Sequence, residues 1–268
     1  MPISNWLMTM TLETAIRQVA DRVRGRIGVA VAELPTGSVT EINGDETFRA
    51  ASVIKVPILY ELFRKSETQE LDLNDVRTLN EHNICTGSGV IRMLHRSLQL
   101  TINDLATLMI VVSDNSATNE LIDVAGIDDV NSTMSSLGLH QTILRRKMLG
   151  ESGGDVPLKM DNLSSPHDLL ALLKIIYSTD HHLSKRSCNS ILEIMKLQQL
   201  RHKIPRYLPA NVSIANKTGT VKGVSNDAAI VFLNRPVAIV VMCMNLEHSS
   251  YGSDAIASIG RLVYDHFS

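Results

Sequence analysis

Cysteine is scarce in this chain. Cys85, Cys188 and Cys243 are odd in number and far apart, which excludes both a disulfide framework and the paired spacing of a zinc site, so they are read as reduced thiols. No His-Glu-x-x-His segment and no Cys/His cluster occurs, and metal hydrolysis loses its usual signatures. Asp180-His181-His182 reads as a solvated connection between helices, and His140, His167 and His248 have no i, i+4 partner of ligand type. An excess of one charge is missing too: a net charge of −2 gives no field for nucleic acid or an acidic membrane. No apolar run reaches the length of about 18 residues that a transmembrane helix needs. The opening residues, Met1 to Met10, hold no basic residue and no sustained apolar run, so they lack a secretory signal. The expected location is cytoplasmic, and periplasmic or secreted if a leader has been trimmed. Internal repeats and low-complexity tracts are absent.

What is present begins with size. A chain of 268 residues, 44% of them apolar, buries a good core as one large domain or two small ones. Within it, Ala50-Ala51-Ser52-Val53-Ile54-Lys55-Val56-Pro57 sets a hydroxyl and an amine three residues apart. On a helix the two share a face, about one turn and roughly 5 Å apart along the axis. A serine hydroxyl needs a base within hydrogen-bond reach to become a nucleophile. Lysine serves as that base only if burial and neighbouring cations lower its pKa. Ser-x-x-Lys alone is common in helices; here it is followed in order by Ser113-Asp114-Asn115 and Lys217-Thr218-Gly219, and the ordered triple is far more specific.

The patterning predicts how these stretches are carried. Leu12, Ile16, Val19, Ala20 and Val23 recur at helical spacing behind a Thr11 cap, and 26–34 with 38–42 read as a hairpin about Pro35-Thr36-Gly37. The Ser52 helix extends to about Lys65, with Pro57 in conflict unless the helix bends or opens with a tight turn. Between about 70 and 200 the pattern is helical. Thr101 with Asp104 caps a row of Leu105, Leu108, Met109 and Val112 that ends at Ser113, and further helices are expected over 119–124, 130–137, 166–178 and 187–197. Strands are expected over 212–220, 226–233 and 236–244, then a helix over 254–266.

On these motifs, together with Phe48-Arg49-Ala50-Ala51-Ser52, Gly87-Ser88-Gly89, Thr101 to Leu105, Ser113 to Asn119 and Asn226-Asp227, the chain resembles the penicillin-recognising serine hydrolases. It is most similar to the class A β-lactamases, from about Val29 to about Met244. The resemblance implies an α+β fold of β-lactamase/transpeptidase type. A five-stranded antiparallel sheet with terminal helices (1–50 and 205–268) would pack with an all-helical lobe (51–204) in a single domain over 1–268. The active site would lie in the cleft between the lobes. Ser52 is then the nucleophile, Lys55 the acylation base, and Ser113 the carrier of the proton to the leaving nitrogen. Asn115 would hold the substrate amide and the Lys55 ammonium, while Asp114 braces its own loop. Lys217 and Thr218 would bind a carboxylate, Gly219 would let substrate lie along the strand, and the N–H groups of Ser52 and Thr220 would form the oxyanion hole.

Two departures stand out. The loop Leu144 to Asp155 lacks the Glu that activates the deacylating water in class A enzymes: counting from Arg146 puts Met148 there, and counting back from Asn162 puts Leu149 there. Glu151 and Asp155 are the nearest acids. The segment from Gly219 to Asn226 is one residue short and has no arginine for a carboxylate clamp. The expected function is a serine hydrolase of the class A β-lactamase type. It opens an amide through an acyl-Ser52 intermediate, with slow deacylation, on a small-molecule β-lactam, peptide-like amide or ester and without a cofactor. An esterase, amidase or D-alanyl peptidase on the same scaffold, and a β-lactam-binding sensor that stays acylated, remain alternatives.

Overall fold

The computed structural model describes residues 10–34, 37–95, 97–150, 156–178 and 183–268. Glu151, Asp155, Asp180-His181-His182, Pro35-Thr36 and most of the opening segment therefore lie outside the described residues.

The chain opens with helix α1 (Leu12–Ala20), capped by the Thr11 hydroxyl. Strands β1 (Arg26–Glu33) and β2 (Val39–Ile42) follow as the expected hairpin. Late in the chain β7 (Ser213–Val221), β8 (Val224–Phe232) and β9 (Val237–Met244) complete an antiparallel sheet of order β2-β1-β9-β8-β7. Side chains on a strand alternate between faces, and β9 divides accordingly. Ala238, Val240, Met242 and Met244 join the core shared with the helical lobe, whereas Val237, Ile239, Val241 and Cys243 face the terminal helices. Both faces are thus covered, and every residue of β9 is buried. The second face is closed by α1 and by α8 (Ser249–Phe267), whose Ile256, Ile259 and Val263 are fully buried.

Between β2 and β7 the chain is mostly helical: α2 (Lys55–Glu67), α3 (Ile102–Val111), α4 (Asn115–Ala125), α5 (Ile127–Ser136), α6 (Pro166–Ser178) and α7 (Lys185–Lys196). Two short ladders, β3 (Phe48–Arg49) with β6 (Leu163–Ser164) and β4 (Val76–Thr78) with β5 (Gln99–Thr101), were not evident from periodicity. The capping box at Thr101 and Asp104 forms as the spacing predicts. Pro57 causes no break. Ala51–Ile54 is a 3-10 turn and α2 begins at Lys55, so Pro57 is the third helical residue, where a backbone N–H has no intrahelical acceptor to lose.

Candidate active site

The Ser52 turn is pressed against the edge strand β7. A Cβ added at Gly219 would stand 3.0 Å from Ala50 O, 3.0 Å from Ser52 N and 3.1 Å from Val53 N; only glycine lets the strand approach this closely. From the other side Asn226 of β8 donates its Nδ2 to Arg49 O (2.8 Å) and Ala50 O (2.9 Å), fixing the two carbonyls that lead into the turn. Ala51 then takes φ +45°, a left-handed conformation costly for a side-chain-bearing residue and found mostly where a site demands it.

Ser113 is the second strained residue, at φ +56°. It joins α3 to α4, because the Asp114 carboxylate caps α4 at Ala117 N (2.9 Å) and also takes the N–H groups of Val90 (2.6 Å) and Ile91 (2.8 Å). α4 consequently begins at Asn115, a turn earlier than the apolar pattern alone suggests. This placement aims Ser113 and Asn115 at the fully buried Lys55, whose ammonium donates to Ser113 O (2.8 Å), Ser113 Oγ (3.1 Å) and Asn115 Oδ1 (3.0 Å). Lys217 comes from β7, likewise fully buried, and donates to the same Ser113 Oγ (3.0 Å) and to Thr218 O (2.7 Å). A hydroxyl oxygen has two lone pairs, so Ser113 accepts both ammoniums and keeps its own proton available.

Burial lowers the Lys55 pKa from 10.5 to about 7. Lys217 is held well below its ordinary value, first by burial and then by the Lys55 charge. The neutral form is thus favoured in both, in Lys55 by burial and in Lys217 by burial and the Lys55 charge. That is the state in which a lysine can take a proton.

A cleft of about 360 Å³ opens over this buried set and is lined by Ser52, Ser88, Asn115, Met148, Leu149 and Thr220 among others. Of the residues singled out from sequence, Ser52, Asn115 and Thr220 reach the cleft. Lys55, Ser113 and Lys217 lie beneath it in one hydrogen-bonded group, and Thr218 and Gly219 are nearly buried on β7. Among the described residues the Ser52 hydroxyl makes no hydrogen bond. The loop across the cleft is held by two asparagines. Asn162 Oδ1 accepts from the N–H groups of Arg145 (2.8 Å) and Arg146 (3.0 Å), and Asn119 clamps Met148 at both backbone groups, accepting from its N–H (2.7 Å) and donating to its carbonyl (3.2 Å). Asp161 is the one carboxylate among the described lining residues. It is committed to ion pairs with Arg49 (2.6 Å) and Arg146.

Asn119 and Asn226 stand in stretches that carry the resemblance and Asn162 closes the loop, but the backbone groups these asparagines position, and the arginine clamp on Asp161, carry no separate signature in the sequence. Asparagine side chains that bridge backbone groups look like any polar residue until the backbone they serve is known.

Comparison with known proteins places this geometry among relatives. The model of a family described as "Beta-lactamase enzyme family" matches residues 11–267. Beta-lactamase AER-1 of Aeromonas hydrophila is 25% identical over 265 residues, 97% of this chain and 86% of that protein. Among solved structures, the beta-lactamase from Sphaerobacter thermophilus DSM 20745 superposes with a TM-score of 0.88 at 32% identity, covering 96% of each chain. PBP-A superposes at 0.86 with 29% identity over 96% of this chain and 95% of that one. A leucine-to-glutamate mutant of PBP-A, an acyl-enzyme complex with penicillin G, is similar at 0.85 and 29%, covering 96% of each chain.

Proposed function

Because the chain belongs to the beta-lactamase enzyme family, its model match running over residues 11–267, we propose that Ser52 opens the β-lactam ring and that the resulting acyl group leaves slowly. As a member of the family the protein is a hydrolytic serine enzyme. In acylation Ser52 Oγ attacks the lactam carbonyl carbon while Lys55 takes its proton. The N–H groups of Ser52 and Thr220 receive the developing oxyanion. The C–N bond breaks as Ser113 gives its proton to the nitrogen, and Lys55 restores that proton across the Ser113 hydrogen bond. Water then has to attack the Ser52 ester to free the serine.

The observation that carries the second half is the cleft lining. Where a base for that water is needed, the described part of the clamped loop presents Met148 and Leu149, and Asp161, the one carboxylate among the described lining residues, is spent on two arginines. General-base help to water is worth about 10²–10⁴-fold. The likeness to PBP-A, whose leucine-to-glutamate mutant is seen as an acyl-enzyme complex with penicillin G, supports a covalent penicillin adduct as the intermediate. Lys217, with Thr218 and Gly219 on the same strand, would meet the substrate carboxylate, an anion whose charge favours the protonated lysine that burial otherwise opposes. Among the described residues no helix is long and apolar enough to cross a membrane.

The test is a time course by intact mass and stopped flow with benzylpenicillin, a cephalosporin and p-nitrophenyl acetate. Penicillin and cephalosporin adducts are expected to accumulate to near one per protein, whereas the small ester, which leaves room for water, turns over faster. Rapid penicillin turnover with no detectable adduct would overturn slow release, and absence of any covalent adduct or turnover would overturn the acyl-serine reading itself.

A pH dependence follows from the Lys55 environment. With a pKa of about 7, the neutral fraction grows as pH rises, so the acylation rate should increase about tenfold between pH 6 and pH 8 and then level off. A single-turnover rate that is flat across that interval would assign the base elsewhere.

A further inference from the structure

The acyl-transfer scheme leaves one buried lysine unused. Lys203 precedes the short 3-10 helix Ile204–Tyr207 and is fully buried behind the sheet. Its ammonium donates to Gly219 O (2.7 Å), Thr220 Oγ1 (2.8 Å) and Asn226 O (2.9 Å). Three protons meet three acceptors, and no carboxylate is among them. The nearest buried acid, Asp227, accepts instead from Asn216 Nδ2 (3.0 Å) and Ile204 N (3.1 Å). A desolvated cation that satisfies itself on neutral oxygens, two of the backbone and one hydroxyl, is expensive. Its pKa is accordingly pushed down to about 8 by burial, with Asp227 opposing.

The acceptors explain the placement. Gly219 O and Thr220 N–H belong to one peptide unit, and in a trans peptide they point in opposite directions. A cation on the carbonyl side draws electron density toward oxygen and sharpens the N–H on the other side. It also fixes the plane of that peptide. The third acceptor extends the effect. Gly219 and Asn226 are partners in the β7–β8 register, and Asn226 holds Arg49 O and Ala50 O by its side chain. Lys203 therefore ties together the peptide that presents Thr220 N–H and the residue that orients the backbone entering Ser52.

We propose that Lys203 is a positioning residue for the oxyanion hole: from behind the sheet its ammonium orients and polarises the Gly219–Thr220 peptide, so that Thr220 N–H and Ser52 N–H converge on the developing oxyanion. The assignment rests on the acyl-Ser52 reading above and adds to it a group that never touches substrate.

The experiment uses Lys203→Met, which keeps the stem and removes the charge, with Lys203→Gln, which keeps a donor, as the variant to read if thermal melting shows the first to be unfolded. Acylation by benzylpenicillin, an anion, and by p-nitrophenyl acetate, which is neutral, should fall by the same factor of about ten, part of the 10²–10³-fold lost when an oxyanion donor is removed outright. In infrared difference spectra of the penicillin acyl-enzyme, the ester carbonyl band should move to higher wavenumber as its hydrogen bonds weaken, a change that a merely structural lysine would not produce. A loss confined to penicillin would make Lys203 a ligand of the substrate carboxylate, and an unchanged carbonyl band in a folded variant would make it a strand tether only; either result overturns the proposal. Failure of the wild-type protein to form any adduct would instead defeat the acyl-serine reading on which it rests.

Discussion

Ser52→Ala is expected to show no mass increase after prolonged incubation with benzylpenicillin, under conditions in which the wild-type protein is fully labelled. The effect is total because, among the described residues lining the cleft, only one hydroxyl is equipped for the reaction. Ser52, Ser88 and Ser249 all line it, yet Ser52 alone precedes a buried lysine by one turn and sits where Gly219 brings the β7 edge against its backbone. The substitution is small, and Ser52 makes no side-chain hydrogen bond among the described residues, so the fold should be retained and a melting curve near that of the wild type serves as control. Labelling that persists in the variant, located by peptide mapping on Ser88 or Ser249, would move the nucleophile.

The second large effect is a gain. Met148→Glu should shorten the lifetime of the penicillin acyl-enzyme by about 10²-fold or more, within the usual range for a positioned general base. Met148 suits the purpose because Asn119 holds its backbone on both sides and its side chain, only 9% exposed, lines the same cleft as Ser52. Leu149 is 45% exposed, so a carboxylate there can turn to solvent, and Leu149→Glu should yield less. Burial will raise the pKa of the new carboxyl, and the gain should therefore grow with pH. Adduct decay followed by intact mass measures it directly. Unchanged decay in both variants at every pH would show that access of water, rather than a missing base, limits release.

Much of this architecture was legible because local rules and tertiary packing agree. The Thr101–Asp104 box, the α6 pattern from Pro166 and the three late strands each follow from spacing and caps. The misjudged boundaries have physical causes. α4 starts at Asn115 because Asp114 works at once as a helix cap and as acceptor for Val90 and Ile91; the bracing role was readable, the earlier helix start less so. α8 starts at Ser249, about a turn before the apolar pattern begins, without a side-chain cap. A Cβ added at Gly252 in its first turn would stand 2.6 Å from Leu246 and 2.8 Å from Ser225, so packing rather than propensity sets that end. In the site, Ser52, Lys55, Ser113 and Lys217 could be singled out together because the chemistry proposed for them depends on residue type in order. Lys203 was not, since Arg201-His202-Lys203 reads as a polar loop and nothing local marks a lysine that the sheet will enclose.

The pairing of β1 with β9, which sets Arg26 opposite Met244, also governs the order in which the molecule can mature. Contacts so distant along the chain form only after the loop-closure cost of everything between them has been met. During synthesis Ser52 and Lys55 leave the ribosome long before Lys217, Gly219 and the strand that completes the sheet. A nascent chain at that stage holds the proposed nucleophile and its neighbouring amine without Lys217, without the β7 edge proposed for the oxyanion, and without the burial that lowers the amine's pKa. On the proposed acyl-serine reading it would be silent toward penicillins until β9 docks, and reactivity would then double as a report that the sheet has closed.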